Sequence, residues 1–177
     1  DCAETFQFTR EDQDAYALES LSNALRAIES GAFATEVAAV TVRTRSDEVT
    51  VTEDEQPGKA RPEKIPTLKP AFRKDGTVTA ANSSSISDGA AALIVASREA
   101  AEAAGMPIRA VIRGHQSHAH EPGWFTTAPV PAARKLLDRL GWSVDSVDLW
   151  EINEAFAVVP MAFMRELGVP RDKINVN

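Results

Sequence analysis

The second half of the chain alternates strand-like with helix-like segments, and this pattern limits the possible folds more than any other feature. Helices of about ten residues between short strands are typical of a sheet wound by crossover connections. The strand candidates are residues 77–81, 109–113 and 146–152, and the helix candidates are residues 97–104, 131–140 and 155–167. Residues 90–96 are apolar throughout, so periodicity leaves both strand and helix open for them. We therefore predict an α/β fold whose sheet is incomplete within the chain, because a further strand begins only at Ile174.

The first half is predicted to contain one long helix, one strand and an exposed loop. Thr9 is a natural N-cap for a helix ending at Glu29, with Asp12 in the capping-box position. Residues 37–44 alternate β-branched with other residues, as strands do. Residues 47–70 are rich in charge and proline, which predicts an extended, exposed loop.

Composition excludes several classes of protein. The 177 residues carry 19 basic and 26 acidic side chains, a net charge of −7, and this acidity argues against nucleic-acid binding. No apolar stretch approaches the roughly 20 residues that cross a bilayer. Cys2 is the single cysteine, which fits a reducing compartment such as the cytoplasm or an organelle matrix. Three nearby histidines at 115, 118 and 120 lack enough partners to favour a metal site.

The strongest chemical signal lies where the strand at 146–152 runs into Asn153 and Glu154. Ligands of open α/β sheets collect beyond the carboxyl ends of strands, and an asparagine amide can hold a water or polarise a carbonyl there. The commoner role for Asn153 at this position is the N-cap of the next helix, and for Glu154 it is a partner of the helix dipole. We also expect Pro160 to kink that helix or delay its start.

Two further segments are candidates for ligand contact. Asn82 to Gly89 is a run of hydroxyl and turn residues that can approach a ligand closely, although ordinary turn and capping duty is the commoner role of such a run. Trp124 and Phe125 are either the wall of an apolar pocket or a packed corner. Cys2 has no histidine near it in sequence, so we expect an inert thiol.

Three motifs together resemble the thiolases, the acetyl-CoA acetyltransferase family. They are GTVTAANSSSISDGAAA from Gly76, NEAF from Asn153, and INVN from Ile174. The resemblance covers essentially the whole chain. It implies that residues 1–86 are the second part of a thiolase loop domain, and that residues 87–177 are the last strand of the N-terminal half with the first part of the C-terminal half.

The resemblance also implies an activity and roles for individual residues. Thiolases transfer acyl groups between coenzyme A thioesters and a cysteine without a further cofactor, either forming acetoacetyl-CoA or cleaving 3-ketoacyl-CoA. Asn153 matches the asparagine whose bound water helps to form an oxyanion hole, and Ser84 matches a serine that contacts the pantetheine arm. Apolar residues that match the same pocket are Ala71, Phe72, Ala80, Ile86, Phe125, Ala155 and Phe156.

By the same resemblance, the catalytic cysteines and histidine of the family have no match in this chain. Neither catalytic cysteine of the family matches Cys2, and the matching histidine would lie beyond Asn177, so we expect the chain alone to be inactive. The resemblance implies a homo-oligomer, dimeric or tetrameric, that binds acyl-CoA or CoA. The alternative is a non-catalytic thiolase-like module that binds acyl-CoA or lipid.

Overall fold

A computed structural model describes all residues from Asp1 to Asn177. The chain opens with a short helix, α1 (Cys2–Thr5), followed by the long helix α2 (Arg10–Ser30). Thr9 caps α2 as predicted: its hydroxyl accepts from the Asp12 backbone N–H, and the Asp12 carboxylate accepts from that of Thr9. Gly31 ends the helix with φ of 69°, a left-handed conformation that glycine adopts without strain. The helix prediction for residues 9–29 is confirmed.

Residues 37–70 contain more regular structure than predicted. The expected strand forms as β1 (Val40–Arg43), and it pairs antiparallel with β2 (Glu48–Val51). A short helix, α3 (Glu55–Lys59), and a 3₁₀ segment (Pro62–Thr67) follow. The prediction of one extended loop over residues 47–70 is therefore wrong. β2 has the alternating Val-Thr-Val pattern of a strand, but this signal was outweighed by the surrounding charges and prolines.

The strands predicted at residues 77–81, 109–113 and 146–152 do not form ladders. Only isolated bridges occur, Ser83 with Phe156 and Trp150 with Ile174. Residues 90–96 form neither strand nor helix. These segments have strand-like sequences, but a strand requires a ladder of hydrogen bonds to a neighbour, and the pairing here does not extend beyond these single bridges. The only sheet is the β1–β2 hairpin.

The predicted helices of the second half are present with shifted ends. The first, α4 (Arg98–Ala103), is capped by Ser97, as predicted. The second, α5 (Pro129–Leu140), starts two residues early, with proline at a position where it suits a helix start. The third, α6 (Val158–Leu167), begins three residues later than predicted.

Two small apolar clusters meet on the faces of α6. One joins Cys2 and Phe8 to Val158 and Ala162. The other surrounds Phe163, which is 1% exposed. Its further buried members are Val130, Val169 and Ile174. Helix α6 thus packs against α1, α5 and the C-terminal residues. Its N-terminus follows the NEAF motif directly, so this packing also holds the end of that motif in place. No helix in the structure has the length and apolarity that crossing a membrane requires.

Candidate functional site

The NEAF segment (Asn153–Phe156) is held against the serine-rich loop (Asn82–Gly89) by backbone pairing. The Ser84 backbone N–H and hydroxyl both donate to the Ala155 carbonyl, at 3.1 and 3.2 Å. The Ala157 N–H donates to the carbonyl of Asn82 at 2.9 Å, and Ser83 bridges Phe156. Two motifs that lie about 70 residues apart in sequence therefore form one local structure.

The roles first assigned to Asn153 and Glu154 at a helix start are wrong. Helix α6 begins at Val158, and its N-cap position is Ala157, which offers no capping side chain. Pro160 explains the delay: within the first turn its missing N–H has no intrahelical partner to lose. The expected late helix start is confirmed. Asn153 is instead exposed on a non-helical segment that precedes the helix.

Glu154 is the centre of a polar network that links the NEAF segment to α2. Its carboxylate accepts hydrogen bonds from the Tyr16 hydroxyl at 2.7 Å, the Ser20 hydroxyl at 2.6 Å and the Asn175 amide at 2.8 Å. Burial of Tyr16, followed by its hydrogen bond to Glu154, raises the pKa of the phenol. The phenol therefore stays protonated and remains a donor. The Arg171 guanidinium lies 4.9 Å from the centre of the Tyr16 ring.

Asn175 takes the place of a neighbouring strand beside Ile152. Its side-chain oxygen accepts from the Ile152 N–H at 2.8 Å, while its amide donates to the Ile152 carbonyl at 2.8 Å. The Asn175 backbone has φ of 46°, a left-handed conformation that asparagine tolerates better than most residues. Its carbonyl accepts from Asn23 of α2.

Tyr16, Ser20 and Asn175 were not identified from the sequence. One signal was available: Tyr16 and Ser20 are four residues apart, so they share a face of α2. Polar residues on a helix face usually meet solvent, however, and nothing in the sequence indicated that the NEAF segment lies against this face. Asn175 lies within the INVN motif, but its contacts depend on the fold.

Several predicted apolar site residues form a cluster of aromatic rings around Phe156. The rings of Phe72 and Phe125 approach Phe156 edge-on, with centroids at 6.1 and 6.2 Å. Phe72 and Phe125 remain largely exposed. Ala71, beside Phe72, pairs its N–H with the Val78 carbonyl at 2.8 Å. This aromatic cluster offers an apolar surface on one side of Ala155.

An open groove of about 460 Å³ lies between α2 and the serine-rich loop. Asn153, Glu154 and Ser84 line it together with Tyr16 and Ser20. Ile86 and Ala80 do not line the groove: Ile86 is fully exposed, and Ala80 is exposed one residue before the lining begins. The structure thus brings Asn153, Ser84 and Ala155 together and leaves Ile86 apart.

The thiol and the histidines lie elsewhere. Cys2 is buried against α6, its Sγ 4.0 Å from the Val158 carbonyl, and desolvation raises the pKa of this thiol. His118 contacts His120 edge-on, and Lys135 Nζ lies 2.9 Å from His118 Nδ1. Desolvation and the Lys135 charge lower the pKa of His118. Neither group faces the groove.

Comparison with known proteins finds similarity to thiolases over nearly the whole chain. Residues 1–99 match the thiolase N-terminal domain, and residues 106–177 match the thiolase C-terminal domain. Acetyl-CoA acetyltransferase 2 of Arabidopsis thaliana is 47% identical over 180 residues, which cover 99% of this chain and 44% of that protein.

Two solved structures match in three dimensions. The acetyl-CoA acetyltransferase of Bacillus anthracis superimposes with a TM-score of 0.95 at 43% identity, covering 99% of this chain and 45% of that one. A thiolase from Ascaris suum, solved in complex with coenzyme A, gives a TM-score of 0.91 at 44% identity, covering 98% of this chain and 44% of that one. The chain therefore spans a little under half the length of the relatives that it matches. The predicted partial thiolase-like α/β fold is confirmed, and the chain belongs to the thiolase family.

Proposed function

We propose that this chain acts within a thiolase that forms acetoacetyl-CoA or cleaves 3-ketoacyl-CoA by acyl transfer. Its contribution is the uncharged amide of Asn153 and part of the surface that binds coenzyme A. The observation that carries the proposal is the position of Asn153, exposed at the groove on a segment whose neighbouring residues are all hydrogen-bonded. A fixed, neutral donor is what an enolate or oxyanion of a thioester requires where negative charge develops.

The coenzyme A arm is proposed to pass Ser84 and the aromatic cluster. Ser84 supplies a hydroxyl beside the Ala155 carbonyl, and Phe72, Phe125 and Phe156 supply apolar surface for the pantetheine and acyl carbons. The thiol of Cys2 does not take part, because it is buried away from the groove and its raised pKa disfavours the nucleophilic thiolate. A relative crystallised with coenzyme A supports this ligand. We further propose a homo-oligomer located in the cytoplasm or an organelle matrix.

A hybrid enzyme tests the proposal. This chain replaces the matching 45% of the Bacillus anthracis acetyl-CoA acetyltransferase, and thiolysis of acetoacetyl-CoA is measured. The hybrid should be active, whereas the 177-residue chain alone should not be. Asn153→Ala should lower kcat by about a hundredfold, as expected for loss of one oxyanion donor.

The matched control is Ser143→Ala, an exposed polar residue outside the groove. It should leave kcat unchanged. An active hybrid in which Asn153→Ala matches the unsubstituted hybrid would refute the role of Asn153. Thiolysis by the isolated chain would refute the expectation that it supplies no nucleophile.

A further inference from the structure

The residues on both sides of Asn153 are fixed by side chains from two distant parts of the chain, α2 and the INVN motif. Ile152 is bound through both backbone groups by Asn175. Glu154 is bound through its carboxylate by Tyr16, Ser20 and the same Asn175. Asn153 lies between them with its side chain exposed at the groove.

The hydrogen bonds to Glu154 are short, and they come from two directions. Tyr16 and Ser20 project from one face of α2, while Asn175 approaches from the C-terminal residues. Each carboxylate oxygen is engaged, so the side chain cannot rotate without breaking hydrogen bonds to an ionised acceptor. Such charge-assisted bonds are about twice as strong as neutral ones.

The support for Glu154 is itself fixed. Tyr16 is buried beneath the Arg171 guanidinium, and Arg171 also binds Glu19 one helical turn along α2 at 3.0 Å. Asn23 of the same helix donates to the Asn175 carbonyl at 3.2 Å. Helix α2 is capped and continuous over 21 residues, so it is a rigid base for this contact.

We propose that Glu154 is a positioning residue: through Tyr16, Ser20 and Asn175 it fixes the backbone on which Asn153 presents its amide to the developing negative charge. This inference rests on the proposed function and deepens it. An oxyanion donor stabilises charge only if it is already in place, since reorganisation during the reaction costs free energy. Glu154 itself does not contact the reacting atoms.

The hybrid enzyme described above provides the first test, with Glu154→Ala compared against Glu151→Ala. Glu151 is an exposed glutamate three residues earlier on the same segment, and it is the matched control. Glu154→Ala should lower kcat by about a hundredfold, the order expected when a catalytic group is misplaced by about 1 Å. KM should change by less than about threefold, because Asn153 acts in the transition state. Glu151→Ala should change neither constant.

Conservative variants separate positioning from folding. Glu154→Gln keeps an oxygen that accepts from Tyr16 or Ser20, so it should recover about tenfold of the lost kcat. The double variant Tyr16→Phe with Ser20→Ala removes the donors and should lower kcat by about tenfold with KM unchanged. If Asn153→Ala reduces kcat but Glu154→Ala does not, the positioning role is wrong while the proposed function stands.

A second readout does not depend on catalysis. Nitrogen-15 relaxation of the 177-residue chain measures the backbone order parameter of Asn153. We expect a value of about 0.85 in the unsubstituted chain and below about 0.6 in Glu154→Ala. Glu151→Ala should retain the higher value. If the Asn153→Ala hybrid keeps full activity, the proposed function fails, but this measurement still shows whether Glu154 fixes the backbone of Asn153. Equal order parameters in the unsubstituted chain, Glu154→Ala and Glu151→Ala would overturn the positioning role of Glu154.

Discussion

The segment from Trp150 to Phe156 has a different environment from the two stretches that flank α4, residues 90–96 and 109–113. Strands are predicted at residues 146–152 and 109–113, and residues 90–96 are an apolar run for which strand and helix both stay open. The first segment exchanges hydrogen bonds with the Asn175 side chain, accepts one from the Ser84 hydroxyl and ends at a buried helix. In the flanking stretch 90–96, Leu93 and Ile94 are 92% and 82% exposed. We call the first the site segment and the two flanking stretches together the exposed segment.

The difference teaches that apolar sequence alone does not order a strand. The site segment is supported on two sides: Tyr16 and Ser20 of α2 bind the Glu154 carboxylate, and the side chains of Asn175 and Ser84 bind backbone groups of the segment. The exposed segment has the composition of a buried strand but no ladder within this chain. Its backbone groups therefore depend on solvent for their hydrogen bonds.

The largest expected effect comes from truncating one apolar side chain beside each segment. Phe163→Ala removes a ring that is 1% exposed and packs against Trp150, with ring centroids 5.1 Å apart. It should therefore lower the free energy of unfolding by about 3 to 5 kcal/mol. Leu93→Ala in the exposed segment should change it by less than about 0.5 kcal/mol. Urea denaturation of the 177-residue chain measures both. Similar losses from the two variants would remove the distinction between the segments.

A smaller effect concerns the pH dependence of stability. Burial and the Glu154 hydrogen bond raise the pKa of Tyr16, so the folded chain keeps a proton that the unfolded chain releases. The free energy of unfolding should consequently fall as pH rises above about 10, by at most about 1.4 kcal/mol per unit.

Tyr16 is the only tyrosine, so absorbance of the phenolate reports this residue alone. Tyr16→Phe should remove this component of the pH dependence, and the difference between the two chains cancels the titration of lysines. In the exposed segment Arg109 and Arg113 face solvent, and Arg109→Gln should keep the same slope as the unsubstituted chain. An identical slope in the Tyr16→Phe chain would show that Tyr16 is not coupled to folding.

The smallest effect comes from helix caps. Thr9→Ala removes the capping box of α2, the helix that supports the site segment, and should lower the free energy of unfolding by about 1 kcal/mol. Ser97→Ala removes the cap of α4, which adjoins the exposed segment and buries no residue. Its loss should fray α4 and change the global free energy by less than about 0.5 kcal/mol. Hydrogen exchange of the two helices distinguishes the outcomes; a larger global loss from Ser97→Ala would contradict the comparison.

Local signals predicted the helices well and the sheet poorly. Thr9 with Asp12, Ser97 and the closing glycines identified helix ends within a few residues, because caps act over one turn. The strands at 109–113 and 146–152 failed, because pairing depends on a neighbour distant in sequence. The start of α6 was misplaced because Pro160 fits its first turn, although a delay was expected.

For the candidate site, the motifs identified Asn153, Ser84 and Phe156, and the fold brings these into one region. Their roles remain predictions that the hybrid enzyme tests. Ile86 was grouped with them by resemblance, yet its side chain is fully exposed. The partners of Glu154 could not be predicted, since more than 130 residues separate Tyr16 and Ser20 from it.

By itself, then, the sequence determined the helices and their caps, because these depend on contacts between near neighbours, and it fixed the residue types of the candidate site. Only the tertiary structure decided that Glu154 is a half-buried hydrogen-bond acceptor and not a helix-dipole partner. It also decided which strand-like segment is supported, because both outcomes depend on α2 and Asn175 meeting the NEAF segment from distant parts of the chain.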